Sequence, residues 1–250
     1  MRGKGYLRVG TSGWHYAHWR GPFYPPQLAA SGWFGFYARR FDAVELNATF
    51  YRLPSENAVA RWRETAPPGF LYAVKASRFI THYRRLKNPE AGLKVFFDRI
   101  KDLGDTLGPV LFQLPPRFAR NTELLGEFLQ ALPTGVRHAF EFRDPDWFHE
   151  DVYRLLARHG AAFCVYEYGT TRSPAPVTAD FAYVRLHGPG RRYAGNYRPD
   201  ELADWAGSMQ AWAGQGLDAF CFFDNDEAGY AARNALELAS LLKDSDPAQA

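Results

Sequence analysis

The sequence contains few cysteines and no long apolar run. Only two of its 250 residues are cysteine, Cys164 and Cys221, and both lie within apolar stretches. Neither a disulfide scaffold nor a cysteine-ligated zinc site is therefore expected. No stretch of about 18 uninterrupted apolar residues occurs, so no membrane-spanning helix and no membrane partner are expected. The N-terminus lacks the apolar segment of a secretory signal, which predicts a cytoplasmic location.

Several motifs that define enzyme classes are also missing. No G-x-G-x-x-G or Walker-type glycine loop follows a strand, which argues against a Rossmann oxidoreductase or an ATPase. No G-x-S-x-G elbow is found either. The chain has no internal repeat and no linker that would divide it, so we expect a single domain over residues 1–250. A formal net charge of +3 is compatible with an anionic ligand but does not demand one.

Short β-rich runs alternate with helical patterns along the whole chain. The helical patterns cover 31–40, 56–65, 90–103, 121–131, 148–159, 199–213 and 228–243. Eight strands with intervening helices in this length predict a TIM (β/α)8 barrel, with the helix after the sixth strand short or missing. A doubly wound open sheet is the main alternative. The eight predicted strands are 6–12, 43–50, 71–77, 109–115, 138–143, 161–167, 181–187 and 219–226.

Charged residues alternate with apolar ones near the ends of the predicted strands. Side chains alternate across a strand, and the apolar set must face the helices. The polar set then faces the barrel lumen near the carboxyl ends, where TIM-barrel active sites lie. The predicted inward ring comprises Glu45, Asn47, Lys75, Gln113, Glu141, Arg143, Glu167, Arg185, His187 and Asp224.

This ring has two interpretations. The first is a structural network, because four carboxylates meet three permanent cations. The second is a ligand or catalytic site, and we favour it because apolar side chains fill a barrel lumen at lower cost than buried ion pairs. Strongly perturbed ionisable groups also cluster at functional sites. Asn225 is a further candidate for ligand binding, and capping of the last helix is its alternative role.

Seven blocks of the chain resemble the signature blocks of the YecE-like family, also called domain of unknown function 72. They are "GTSGWHYAHWRGPFYP", "VELNATFYRLP", "VKASRFITHYRRL", "LGPVLFQLPP", "EFRDPDWF", "YVRLHGP" and "FDNDEAGYAARNALEL". The resemblance covers about residues 10–243. It implies a TIM-barrel fold and a shared polar pocket, and it implies no particular reaction.

Three functions remain open from the sequence. The preferred one is an enzyme, such as a hydrolase or isomerase, acting on a small phosphorylated or nucleotide-like anion. Lys75, Arg78, Arg143 and Arg185 would hold the anion, and Glu45, Glu141, Asp224 and His187 would supply acid and base groups.

The second function is a metal-dependent hydrolase or isomerase. No cofactor is favoured, but Glu141, Glu167, His187 and Asp224 have the ligand chemistry for a divalent metal. The third is a non-catalytic protein that binds a metabolite or RNA. Basic loops with interleaved aromatic residues fit a nucleotide or nucleic acid, whereas the low net charge argues against extended duplex binding. The oligomeric state stays open.

Overall fold

The computed structural model describes residues 3–244. Its strands form one sheet in the order β1-β9-β8-β6-β5-β4-β3-β2, and β7 is a short antiparallel partner of β6. The strands in chain order are β1 Leu7–Thr11, β2 Ala43–Leu46, β3 Leu71–Lys75, β4 Leu107–Leu114, β5 His138–Phe142, β6 Ala162–Gly169, β7 Thr171–Arg172, β8 Phe181–Pro189 and β9 Asp218–Phe223.

Helices follow the strands of the main sheet with one exception. The short β7 hairpin occupies the connection after β6, where the sequence predicted a short or missing helix. In the part of the chain that the structure describes, no helix is both long and apolar enough to cross a membrane. The α-helices are α1 Trp33–Ala38, α2 Ala48–Tyr51, α3 Glu56–Thr65, α4 Glu90–Ile100, α5 Thr122–Gln130, α6 Glu150–Arg158, α7 Pro199–Gly214 and α8 Tyr230–Asp244.

The chain packs as two compact units. Unit 1 is formed by the described parts of 1–44, 165–173 and 180–250, and unit 2 by 45–164 and 174–179. In unit 1 the pairs β1–β9 and β8–β9 are parallel. In unit 2 the pairs β3–β4, β4–β5 and β5–β6 are parallel. The single domain expected for 1–250 stays a prediction, and residues 1–2 and 245–250 lie outside the described residues.

Within unit 1, the start of β2 lies beside β1. The hydroxyl of Tyr37 accepts from the amide of Thr11 at 2.9 Å and donates to the carbonyl of Ala43 at 3.0 Å. A Cβ atom on Gly10 would lie 2.2 Å from the same carbonyl oxygen, so only glycine permits this approach. The strand order with this contact is that of a TIM-type α/β barrel, which confirms the predicted fold class.

Two predicted strands end three or more residues earlier than the sequence indicated. The strand expected over 43–50 ends at Leu46, because Thr49 turns the chain into α2. The Thr49 hydroxyl lies 2.7 Å from the carbonyl oxygens of both Leu46 and Lys75. The strand expected over 219–226 ends at Phe223, which leaves Asp224 in the loop that follows. Both differences lie at the carboxyl ends of strands, where polar side chains offer the backbone N–H and C=O groups an alternative to the hydrogen bonds of the sheet.

Candidate functional site

A polar cluster of unit 1 lies at the carboxyl ends of β1 and β9 and beside them on β8. The amide of Ser12 donates to the carbonyl of Phe223 at 2.8 Å, and the amide of Asp224 donates to the carbonyl of Leu186 at 2.8 Å. These bonds extend the parallel ladders by one residue past the strand ends. Ser12 therefore directly follows β1 and Asp224 directly follows β9, and His187 of the neighbouring β8 lies in the same layer.

Arg185 lies at the centre of this cluster and is wholly buried. Its guanidinium is 3.1 Å from Ser12 Oγ, 3.2 Å from Asp224 Oδ2 and 3.2 Å from His187 Nε2. A guanidinium can only donate, so Nε2 must accept the hydrogen bond. His187 Nδ1 lies 3.0 Å from Asp224 Oδ2. Arg185 and His187 thus both orient the carboxylate of Asp224, whose side chain is 14% exposed.

Aromatic rings and one arginine stand around this polar cluster. The ring of Tyr168 lies edge-on to that of His187 at 5.5 Å, and the ring of Tyr193 does so at the same distance. The guanidinium of Arg192 stacks over Tyr168, 4.6 Å from its centroid. Tyr193 is 47% exposed and has a left-handed φ of 59°. The polar cluster is therefore bordered by an accessible aromatic and cationic rim.

Asn225 helps to hold the loop that carries this rim. Its Nδ2 donates to the carbonyl of Gly195 at 2.8 Å and to Oδ1 of Asn234 at 2.9 Å. The same Asn234 oxygen accepts from the amide of Tyr197 at 3.2 Å. Asn225 is wholly buried and does not adjoin α8, which begins at Tyr230, so it does not cap that helix: these bonds tie the loop after β8 to α8.

Asp226 is a site residue that the sequence analysis missed. Its carboxylate accepts hydrogen bonds from the indole of Trp19 and, at 3.0 Å, from His18 Nε2. Burial raises the pKa of Asp226, and the charge of Asp224 raises it further, against the lowering effect of Trp19 and His18. The signal was a second acid in the "DND" run directly after β9.

The predicted orientation of Glu167 is wrong. Its carboxylate accepts hydrogen bonds from Tyr197 and from Trp205 of α7, and lies 3.6 Å from Arg172 of β7. Burial raises its pKa, although these three partners oppose the change. The neighbouring Tyr166 instead lies with its ring 6.5 Å from that of His187. Glu167 therefore faces the helix layer of unit 1.

Residues of β6 in unit 2 show the same reversal. The ring of Phe163 packs against Phe148 and Tyr153 at the start of α6. The thiol of Cys164 lies 4.0 Å from the carboxylate of Glu141. The sequence assigned Cys164 and Tyr166 to the helices because they are apolar, but a thiol and a phenol both tolerate polar neighbours.

Glu141 and Arg143 form an internal ion pair in unit 2. Glu141 is 0% exposed, Arg143 is 6% exposed, and Arg143 Nε donates to Glu141 Oε1. The register pairs Glu141 with Gln113 of β4, so these side chains are neighbours as predicted. The rings of Phe112 and Phe140 pack against Phe128 of α5, in agreement with the predicted outward set of β4 and β5.

The remaining predicted residues of unit 2 lie on or near β2 and β3. Glu45 is wholly buried, and Lys75 is buried with its Nζ 4.3 Å from the centroid of the Phe50 ring. Asn47 is half-buried, and its Oδ1 has no hydrogen-bond partner among residues 3–244. Arg78 follows β3 and lies among aromatic rings.

The four proposed metal ligands do not form one group in the described chain. Asp224 and His187 contact Arg185, Glu167 contacts Arg172, and Glu141 contacts Arg143. Among residues 3–244, no group of three or more histidine, cysteine, aspartate or glutamate side chains could hold a metal ion. The described geometry therefore gives the metal-dependent alternative no support.

The strand–helix order and the polar cluster at the strand ends define a protein of the TIM-type α/β barrel class. The family described as "Protein of unknown function DUF72" matches residues 8–250. The chain belongs to this family, which confirms the resemblance of its sequence blocks.

Individual relatives agree with this assignment. The chain is 26% identical over 269 residues to the UPF0759 protein YunF of Bacillus subtilis, with 94% of each chain covered. It is 34% identical over 113 residues to the UPF0759 protein YecE of Escherichia coli K12, which covers 45% of this chain and 42% of YecE. The crystal structure of a DUF72 family protein (TM1631) of Thermotoga maritima superposes with a TM-score of 0.87 at 29% identity, covering 95% and 99% of the two chains.

Proposed function

We propose that the chain is an enzyme that binds a small phosphorylated or nucleotide-like molecule at the unit 1 cluster of Ser12, Arg185, His187 and Asp224. The observation that carries the proposal is the partly exposed carboxylate of Asp224, held by a wholly buried arginine and histidine. Burying such charges for stability alone is costly, because apolar residues would fill the same space as well or better.

The phosphate would bind at the rim above the cluster. In TIM barrels, phosphate sites frequently lie on the loops after the seventh and eighth strands. Here those loops follow β8 and β9, and the first carries Arg192 stacked on Tyr168. An arginine on an aromatic ring offers a planar set of donors for phosphate oxygens, and Tyr193 offers a ring face for a base or sugar.

Asp224 would act as the proton acceptor. Arg185 donates a hydrogen bond to Asp224 Oδ2, and His187 Nδ1 lies 3.0 Å from the same oxygen, so both side chains hold the carboxylate in place. His187 Nε2 accepts from Arg185, so His187 serves as a positioning residue in this arrangement. Glu141 of unit 2, which the sequence also offered as an acid or base, is wholly buried against Arg143, and we assign it no proton transfer.

Separate measurements of ligand binding and of turnover test the binding part and the catalytic part of this proposal. Inorganic phosphate, a sugar phosphate and a nucleoside monophosphate are tested by isothermal titration calorimetry, and ³¹P NMR follows any conversion. Arg192→Gln should weaken binding about tenfold, as expected for one lost charge-assisted contact. The control Arg233→Gln changes another exposed arginine of unit 1 and should leave binding unchanged.

Asp224→Asn should retain binding and abolish conversion. If none of the three probes binds, or if Arg192→Gln binds as the control does, the proposed anion site is wrong. Binding by the wild type without any product would instead identify a non-catalytic metabolite-binding protein. Conversion that survives in Asp224→Asn would remove Asp224 from the role of proton acceptor.

A further inference from the structure

We propose that unit 2 carries a binding surface for single-stranded nucleic acid on the segment after β3. We call it the aromatic–basic surface and define it by Tyr51, Arg78, Phe79, Tyr83, Arg84 and Arg85. It lies within unit 2, and the proposal is independent of the small-molecule site of unit 1.

The first observation is exposed aromatic area. Tyr51 is 66% exposed, Tyr83 is 65% exposed and Phe79 is 48% exposed. Large aromatic side chains are usually buried, so three such rings in neighbouring segments of one unit are unusual. Clustered exposed apolar area of this kind marks an interaction site.

The second observation is the placement of cations on these rings. The guanidinium of Arg78 lies 5.5 Å from the ring centroids of both Tyr51 and Tyr83. Arg84 lies 5.7 Å from the centroid of Phe79, and Arg85 lies 5.5 Å from that of Phe118. These cation–π contacts hold the three arginines over aromatic rings.

The third observation is the charge of the segment. No aspartate or glutamate occurs between Glu64 and Glu90, while Lys75, Lys87 and three arginines do. The pKa of His82 is lowered to about 4, by burial first and then by the charges of Lys75, Arg78 and Arg85. Positive charge therefore accumulates at this surface.

The backbone of the segment is unusual as well. Residues Phe79–Tyr83 form a π-helical turn, a conformation that is rare and frequently found at functional sites. Arg85, Leu86 and Asn88 then adopt left-handed φ angles of 47°, 65° and 46°. Such conformations are costly for residues other than glycine, and they cluster where function requires them.

Single-stranded nucleic acid fits this combination of features. Its unpaired bases stack on exposed rings, and its phosphates pair with the arginines between those rings. A duplex offers phosphates but hides its base faces, so it would use only half of the surface. The shared chemistry does not distinguish RNA from DNA, and the experiment includes both.

The test measures fluorescence anisotropy of labelled oligouridine and oligothymidine strands of about 12 nucleotides, titrated with the whole protein. Tyr51→Ala and Tyr83→Ala should each weaken binding about tenfold. Tyr51→Phe keeps the ring and should bind as the wild type does. The control Tyr6→Ala removes a tyrosine that is 71% exposed but lies in unit 1, and it should have no effect.

Salt dependence tests the basic part of the surface. The slope of log K against log salt changes by about 0.7 for each phosphate contact on a single strand, so Arg84→Gln should reduce it by about that amount. Arg158→Gln is the control, because Arg158 is an exposed arginine on α6 of the same unit. Melting temperatures of all variants confirm that each one is folded.

A preference for uridine or for thymidine strands would assign RNA or DNA, and either result supports the proposal. Three results would overturn it. The first is binding that Tyr51→Ala and Tyr83→Ala leave unchanged. The second is a duplex of equal length that binds as tightly as the single strand. The third is binding to vesicles with anionic phosphatidylserine but to neither oligonucleotide, which would identify a membrane surface instead.

Discussion

Removing the carboxylate of Asp224 should destabilise the protein strongly. The Arg185 side chain is 0% exposed, and its Nη2 lies 3.2 Å from Asp224 Oδ2. Arginine does not deprotonate in proteins, so the variant would keep a buried positive charge. Breaking a buried pair by removing one partner costs about 3–5 kcal/mol. Because Asp224 is itself 14% exposed, we expect the lower end of that range, about 3 kcal/mol, for Asp224→Ala.

Urea unfolding at neutral pH measures this free energy. The exposed pair Arg191–Glu227 gives a control, because its side chains are 76% and 45% exposed at a distance of 3.3 Å. Arg191→Ala should cost less than about 1 kcal/mol. The double variant Arg185→Met with Asp224→Ala should be more stable than Asp224→Ala alone, since it leaves no stranded guanidinium.

The reasoning would be refuted if Asp224→Ala cost no more than Arg191→Ala. It would also fail if the double variant were the less stable of the two Asp224 variants. The first result would mean that water or a rearranged side chain solvates Arg185 in the folded protein. The second would mean that Arg185 stabilises the fold through packing and not through its pair with Asp224.

Three further predictions concern stability away from the site. Burial lowers the pKa of His138 from 6.5 to about 4; protonation then opposes folding, and about 3 kcal/mol of stability should be lost as the pH falls from 6.5 toward 4. Urea unfolding over this pH range should show a smaller loss in His138→Leu. Gly10→Ala should cost about 3 kcal/mol or more in thermal unfolding because of the Ala43 carbonyl, whereas Gly35→Ala, with its nearest neighbour at 3.8 Å, should not destabilise. Asn121→Ala removes the cap of α5 and should cost about 1 kcal/mol in urea unfolding.

The alternation of apolar and polar residues predicted the side-chain directions in β4 and β5 correctly. Phe112 and Phe140 each contact Phe128 of α5, and the charged Glu141 between the β5 phenylalanines is buried against Arg143. In β6 the same reasoning failed. The carboxylate of Glu167 finds its partners on the helix side, in Arg172 of β7 and Trp205 of α7, and the alternation of residues along β6 does not reveal them.

The sequence also predicted that Arg185, His187 and Asp224 would lie close together. Arg185 and His187 share one face of a strand by period-two alternation, and Asp224 follows the next strand of the sheet. Asp226 was missed because its partners Trp19 and His18 come from a long loop whose conformation has no simple periodic pattern. Asn225 was identified as a candidate, but its alternative role as a helix cap was wrong. Its side chain bonds instead to a loop about 30 residues away in sequence, and the local sequence does not reveal that contact.

The sequence by itself determined the order of strands and helices, the family and the segments that carry charge at strand ends. These properties depend on local periodicity, composition and sequence motifs, which each segment carries without its neighbours. Only the tertiary structure decided which charges meet: Asp224 with Arg185 and His187, Glu141 with Arg143, and Glu167 with the helix layer. Pairing between distant segments depends on register, burial and available donors, and these quantities exist only once the chain is folded.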